Sequence, residues 1–122
     1  RLDRPVTVTI YHNPRCSKSR ATLALLEERG LSPEVVDYLT SPPSLAELSR
    51  LIALLGITPR QLIRSGEAAY SELGLSDPDL DDAKLLQAMR DYPALIQRPI
   101  VVAGDAARIG RPAEAVLEII PT

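Results

Sequence analysis

One cysteine, Cys16, has neighbours that could turn its thiol into a nucleophile. It is the only cysteine in the chain, so it cannot form an internal disulfide or supply a structural zinc site alone. His12 lies four residues before it, and Arg15, Lys18 and Arg20 add positive charge around it. Cations and a helix N-terminus lower the pKa of a cysteine from about 8.5 to roughly 3.5–7.5. The pattern therefore predicts a reactive thiolate at neutral pH.

The spacing around Cys16 excludes several cysteine chemistries. A Cys-x-x-Cys oxidoreductase would need a second cysteine at the position of Ser19. A Cys-x5-Arg phosphatase loop would need arginine at the position of Thr22. A Cys–His protease would need a distant histidine, and the chain has only the local His12. What remains is a single thiolate that a thiol from outside must resolve, such as glutathione or a partner oxidoreductase.

A strand and a helix must position this cysteine. Residues 6–11 alternate polar and β-branched apolar side chains, which predicts a strand. A helix is expected from about Ser17 to Arg29, followed by Gly30 as its C′ residue. Residues 34–39 predict a second strand, parallel to the first in a right-handed βαβ unit. The apolar positions of the helix are Ala21, Leu23, Leu25 and Leu26.

The middle of the chain, about residues 44–95, is predicted to be a helical insert. Ser44 and Glu47 form a capping-box pattern, and Thr58-Pro59 is typical of a helix start. Further helices are expected over Glu67–Leu73 and from Asp81-Asp82 to a stop before Pro93. Strands return at Ile100–Val102 and Ala107–Gly110 around a Gly104-Asp105 turn, and a last helix is expected with Pro112 at its first position. The whole predicts one α/β domain over residues 1–122.

Composition narrows the function classes. The net charge of −2 and the pI near 5.4 argue against general binding to nucleic acid or to an anionic membrane. No apolar run reaches the roughly 18–20 residues of a membrane span, and no secretory signal pattern is visible. We therefore expect a cytoplasmic protein, with a monomer as the default.

The residues around Cys16 resemble a known active-site loop. Residues 10–20, Ile-Tyr-His-Asn-Pro-Arg-Cys-Ser-Lys-Ser-Arg, closely resemble the loop of the glutaredoxin-dependent arsenate reductases. Similar fragments follow in order along almost the whole chain. They are Tyr38-Leu39, Pro42-Pro43, Gly56-Ile57, Leu62-Ile63-Arg64, Tyr70 to Leu75, Ile96 to Val102, and Arg108 to Pro112. The resemblance implies a thioredoxin-like fold with a helical insertion between the second and third strands.

The resemblance also implies roles for matched residues. Cys16 would attack the arsenic of arsenate, and His12 would help to keep the thiol ionised. Ser19 would support the thiolate by a hydrogen bond. Pro99 would follow a cis peptide bond opposite the active-site loop. Three arginines would surround the oxyanion: Arg64, Arg98 and Arg111.

Several expectations about partners complete this hypothesis. Arsenate would be the substrate, glutathione the co-substrate and glutaredoxin the protein partner, with no bound metal or cofactor. The alternatives are a regulator of the Spx kind that binds RNA polymerase, and a glutathione-linked thiol reductase of the same fold with another substrate. Those regulators often carry Cys-x-x-Cys, which Ser19 interrupts here. A monothiol glutaredoxin that holds an iron–sulfur cluster ranks last, because its flanking sequence differs.

Overall fold

The computed structural model describes residues 7–120, which form strands, α-helices and short 3-10 helices in the expected order. The strands are β1 (Val8–His12), β2 (Glu34–Asp37), β3 (Ile100–Ala103) and β4 (Ala106–Ile109). The α-helices are α1 (Ser17–Glu28), α2 (Leu45–Leu55), α3 (Pro59–Leu62), α4 (Ala68–Glu72) and α5 (Asp82–Asp91). Two 3-10 helices cover Pro93–Leu95 and Ala113–Ile119.

The chain divides into two compact units. The first comprises Arg1–Asp37 and Arg98–Thr122, and the second is Tyr38–Gln97. All four strands belong to the first unit, whereas α2 to α5 belong to the second. The single domain over residues 1–122 stays a prediction.

The sheet of the first unit has the strand order β2-β1-β3-β4. β1 and β2 are parallel, as predicted, and the other two pairs are antiparallel. The register sets His12 opposite Asp37 and Ile100 opposite Ile109. These pairings place the end of β1 beside the end of β2, and the start of β3 beside the end of β4.

One face of this sheet carries the core of the first unit. Side chains of β1 and β3 pack there against α1 and the last 3-10 helix, and these elements supply its buried members. The buried residues are Val8, Ile10, Leu26, Val101, Ala103, Val116 and Ile120. Burial of such aliphatic side chains, each worth about 1.5–3 kcal/mol, offsets the entropy cost of ordering the site.

The helix α1 packs Leu23, Leu25 and Leu26 against the core, as its apolar pattern predicts, and buries two polar residues as well. Ser19, Thr22 and Leu26 are buried, whereas Ala21 is exposed. Polar side chains are tolerated here because each has a partner: the Thr22 hydroxyl, for example, donates to the carbonyl of Lys18 at 2.9 Å. The C-terminus is as expected, with Gly30 in the left-handed region at φ 80°.

The helix starts and stops of the second unit follow the sequence signals. Ser44 forms a complete capping box with Glu47, and Gly56 ends α2 at φ 69°. Thr58 caps α3 with Pro59 at its first position, and Asp81 caps α5. These elements form because capping satisfies helix-end N–H groups within one turn of sequence.

The main differences from the predictions lie at the end of β2 and in the final helix. β2 ends at Asp37 instead of residue 39, and the Tyr38 side chain is buried with its hydroxyl donating to the Ile96 carbonyl at 3.3 Å. The final helix is 3-10, with Pro112 as its N-cap. Seven residues sample the i, i+3 spacing that both helix types place on one side only about twice, so the apolar pattern does not separate them. The predicted strand residue Val6 lies outside the described residues.

Candidate active site

Cys16 lies at the N-cap of α1, at the end of a tight loop that leaves β1. Asn13 organises this loop with two acceptors: its side-chain oxygen accepts from the Arg15 N–H at 2.9 Å, and its carbonyl accepts from the Cys16 N–H at 3.0 Å. The Cys16 carbonyl then accepts the first helical hydrogen bond, from the Arg20 N–H at 3.0 Å. The thiol is half-buried at the helix start, where N–H groups have no helical partner.

The surroundings of Cys16 lower the pKa of its thiol. Burial raises this pKa, but it is outweighed by the backbone N–H of Ser19, a side-chain hydrogen bond from Arg98, the backbone N–H of Lys18 and the charge of Arg98. Cys16 makes no side-chain capping hydrogen bond, so the two N–H groups act on the sulfur mainly as oriented dipoles. The expected activation of the thiol is therefore present in the geometry, since each of these groups favours the thiolate.

Two of the three predicted arginines reach the sulfur. The Arg98 side chain lies close enough to lower the pKa of the thiol, and the Nη2 of Arg111 donates to the Sγ of Cys16 at 3.7 Å. The Nε of Arg111 donates to the carbonyl of Arg98 at 2.8 Å, which links the two arginine segments. Two guanidinium groups beside a thiolate suit a substrate that is itself an oxyanion, because guanidinium N–H groups bind planar pairs of oxygens.

Both arginines precede cis peptide bonds at the edge of the β3–β4 hairpin. The cis bond before Pro99 is confirmed, and a second one precedes Pro112. The Gly110 N–H donates to the Pro99 carbonyl at 2.9 Å, so the residues just before β3 and just after β4 lie side by side. Antiparallel pairing of β3 and β4 thus joins positions that are 13 residues apart in sequence.

His12 and Ser19 form a buried pair beneath the loop. The Nδ1 of His12 and the hydroxyl oxygen of Ser19 are 2.6 Å apart, and the same oxygen accepts from the Asn13 N–H at 3.0 Å. Burial lowers the pKa of His12, the charge of Asp37 opposes that change, and the charge of Arg20 adds to it. The hydroxyl of Ser19 is thus engaged with His12 and Asn13, and its backbone N–H is the group that acts on the thiol.

Arg64 belongs to the second unit. Its Nη1 donates to the side-chain oxygen of Gln97 at 3.0 Å, and its Nε lies 3.8 Å from a carboxylate oxygen of Glu67. Its backbone N–H donates to the Leu95 carbonyl at 2.7 Å. These contacts hold the guanidinium against the last turn of the insert. Its assignment as a third oxyanion ligand stays a prediction.

The basic residues of the loop are exposed. Arg15, Lys18 and Arg20 all lie on the surface, and one guanidinium nitrogen of Arg20 donates to the Pro14 carbonyl at 2.9 Å. Sequence reasoning missed two site residues, Asn13 and Asp37. The Asn-Pro pair before Cys16 is a turn signal that could have indicated the first, whereas the second depends on the register of two strands.

Two features are absent from the described part of the chain: a metal-ligating cluster and a membrane-spanning helix. Among residues 7–120, no group of three or more His, Cys, Asp or Glu side chains is arranged to hold a metal ion. In the same range, no helix has the length and apolar character required to span a bilayer.

Known proteins are similar to this chain in sequence and in fold. The ArsC family model matches residues 11–119. The chain is 53% identical over 116 residues to the arsenate reductase of Rhizobium meliloti, covering 95% of this chain and 83% of that protein. It is 50% identical over 114 residues to the arsenate reductase of Neisseria meningitidis serogroup A, covering 93% and 97% respectively.

A solved structure extends the comparison to the whole fold. The arsenate reductase from Vibrio cholerae superposes with a TM-score of 0.93 at 52% sequence identity, covering 96% of this chain and all of that one. This similarity confirms the thioredoxin-like fold with its helical insertion between the second and third strands. With a family model that matches residues 11–119 and relatives at about 50% identity over most of its length, the chain belongs to the ArsC family.

Proposed function

We propose that this protein reduces arsenate to arsenite through a covalent adduct on Cys16, with glutathione and glutaredoxin as the source of electrons. The observation that carries the proposal is the pair of guanidinium groups, from Arg98 and Arg111, at the sulfur of a cysteine whose pKa is lowered. Relatives at about 50% identity over most of the chain are arsenate reductases, which supports the same choice of substrate.

The arginines would solve the electrostatic problem of the first step. Arsenate carries one to two negative charges at neutral pH, and a thiolate must approach it closely. Arg98 and Arg111 supply two fixed cations at that point, and the first N–H groups of α1 add a positive end of a helix dipole. Arg64 would contribute a third cation to the bound oxyanion. In this scheme the arginines stabilise charge that develops on the arsenate oxygens as the sulfur–arsenic bond forms.

The proposed cycle balances in three steps. The Cys16 thiolate displaces one arsenate oxygen, which leaves as water after protonation, and forms a sulfur–arsenic(V) bond. The thiol of glutathione displaces a second oxygen in the same way. Both sulfur–arsenic bonds then break: one electron pair forms the disulfide between Cys16 and glutathione, the other stays on arsenic, and the resulting As(III) takes up one water and leaves as arsenite. Glutaredoxin attacks the mixed disulfide and regenerates the Cys16 thiolate. These thiol partners imply a reducing compartment, the cytoplasm.

The other candidate functions have less support. A glutathione-linked reductase of the same fold with a different acceptor would use the same cysteine and arginines, so the substrate assay separates it from arsenate reduction. A regulator of the Spx kind is not favoured by the relatives reported above, whose names describe arsenate reductases.

The test is arsenate-dependent oxidation of NADPH, coupled through glutathione, glutaredoxin and glutathione reductase. We expect turnover by the parent and none by Cys16→Ser. Arg64→Gln, Arg98→Gln and Arg111→Gln should each raise KM for arsenate, whereas the exposed Arg50→Gln, a matched control, should not. Absence of turnover in the parent, with the thiol still reactive toward iodoacetamide, would reject arsenate as the substrate. An unchanged KM in Arg64→Gln would remove that residue from the oxyanion site.

A further inference from the structure

The contact between Ser19 and His12 is satisfied when the Nδ1 of His12 carries no proton and accepts from the hydroxyl. The Ser19 oxygen accepts from the backbone N–H of Asn13 at 3.0 Å, so its own proton is free to donate. The Nδ1 of His12 lies 2.6 Å from this oxygen, and it can accept the hydroxyl proton only when it carries no proton of its own. A neutral imidazole then has its proton on Nε2.

A carboxylate on the neighbouring strand favours this tautomer. Asp37 is the partner of His12 in the parallel β1–β2 register, and its negative charge acts on the imidazole. The other charged group that acts on the ring is Arg20, on α1, which disfavours a second proton. A carboxylate close to a buried imidazole favours a ring N–H directed toward it, as in histidines oriented by a carboxylate in other sites.

We propose that Asp37 is a positioning residue for the Cys16 nucleophile. Its carboxylate holds His12 in the Nε2–H tautomer, so that Nδ1 accepts the Ser19 hydroxyl and ties the first turn of α1 to β1. That turn contains the backbone N–H groups that face the sulfur. The role concerns the thiol itself and goes beyond arsenate reduction, because it holds for any acceptor that the thiol attacks.

The composition of the chain makes the proposal directly measurable. His12 is the only histidine and Cys16 the only cysteine, so both signals are assigned without ambiguity. The ¹⁵N shifts of labelled histidine report which ring nitrogen is protonated. We expect a protonated Nε2 and a bare Nδ1 in the parent at neutral pH. A proton on Nδ1 in the parent would overturn the proposal before any variant is made.

Three variants then test Asp37 itself. Asp37→Ala should give a mixture of tautomers, and Asp37→Asn, which keeps an acceptor oxygen but loses the charge, should retain more of the Nε2–H form than Asp37→Ala. The matched control is Glu34→Ala. Glu34 lies on the same strand as Asp37, but its partner on β1 is Thr9 and not His12. A tautomer population in Asp37→Ala equal to that in Glu34→Ala would refute the role.

The alkylation rate of Cys16 provides a second measurement, because the two explanations predict opposite changes in this rate. Iodoacetamide alkylation of Cys16 at neutral pH should slow about fivefold in Asp37→Ala, the factor that corresponds to one neutral hydrogen bond. Simple removal of a negative charge would do the opposite, because it stabilises the thiolate and speeds alkylation. A faster or unchanged rate would therefore reject the positioning role. Since arsenate takes no part in this assay, its outcome is independent of the proposed function.

Discussion

Substitution of Gly110 by alanine tests how the arginine segments are held together. A Cβ at this position would lie 2.5 Å from the hydroxyl oxygen of Thr22 and 2.8 Å from the ring of Pro99, where ordinary contact begins at 3.4 Å. The neighbours must therefore move by about 0.9 and 0.6 Å in a close-packed interior. Neither gives way easily, because Thr22 is hydrogen-bonded to the Lys18 carbonyl and the proline ring is rigid.

The expected cost follows from these overlaps. Overpacking of this kind costs about 1–3 kcal/mol, and the lower entropy of the unfolded alanine chain returns about 0.4–1 kcal/mol. Gly110→Ala should therefore lower the free energy of unfolding by about 1–2 kcal/mol, which urea denaturation detects as a midpoint lower by roughly 0.5–1 M. Alkylation of Cys16 should slow as well, because Arg111 follows directly and its Nη2 lies 3.7 Å from the sulfur.

A double-mutant cycle identifies the cause. Thr22→Ala removes two of the three close contacts, to the oxygen at 2.5 Å and to the methyl at 3.1 Å. The double variant should then be more stable than the sum of the two single effects predicts, by about 1 kcal/mol. Gly66→Ala is the matched control, since its Cβ would meet nothing within 4 Å. Additive effects, or equal stability of Gly110→Ala and Gly66→Ala, would refute the close-approach argument.

Three further predictions address the charges and the caps. Arg98→Gln should slow alkylation of Cys16 at pH 7 about tenfold, which is the factor for one hydrogen bond to a charged group. The pH profile of the alkylation rate should also move to higher pH. The exposed Arg50→Gln is the control and should change neither the rate nor its pH profile. Because the pKa of His12 is lowered on folding, the unfolded chain binds more protons, so stability falls as the pH drops below about 6.5. Urea midpoints from pH 7 to 5 should fall less steeply in His12→Gln than in the parent, and parallel curves would contradict this. Ser44→Ala removes the capping box of α2 and should lower the free energy of unfolding in urea by about 1 kcal/mol. The rate of Cys16 alkylation should stay at the parent value, and a slower rate would contradict this prediction.

Helix boundaries were predictable because their causes are local. The Ser44 capping box, the Thr58-Pro59 start and the left-handed Gly30 all act within about one turn of the chain. The alternating apolar pattern likewise predicted β1, since side chains of a strand point to opposite faces in turn. The position of Cys16 at the start of α1 follows from the same local signals, and with it the expectation of an activated thiol.

Resemblance supplied what periodicity could not. No local pattern distinguishes Arg98 and Arg111 from the other arginines of the chain, and only the matched segments marked them. The structure then brought both to a sulfur that lies 95 residues from Arg111 in sequence. The cis bond before Pro99 was likewise predicted from resemblance and confirmed, whereas the one before Pro112 was missed.

The sequence by itself determined most of the elements, the position of Cys16 at the start of α1 and the family of the chain. Tertiary structure decided which groups surround Cys16: it set Asp37 opposite His12, engaged the Ser19 hydroxyl beneath the loop and packed Gly110 against Thr22. The physical reason is the range of the interactions. Caps and turns satisfy hydrogen bonds between residues that are close in sequence, whereas strand register and close packing join residues that only the folded chain brings together.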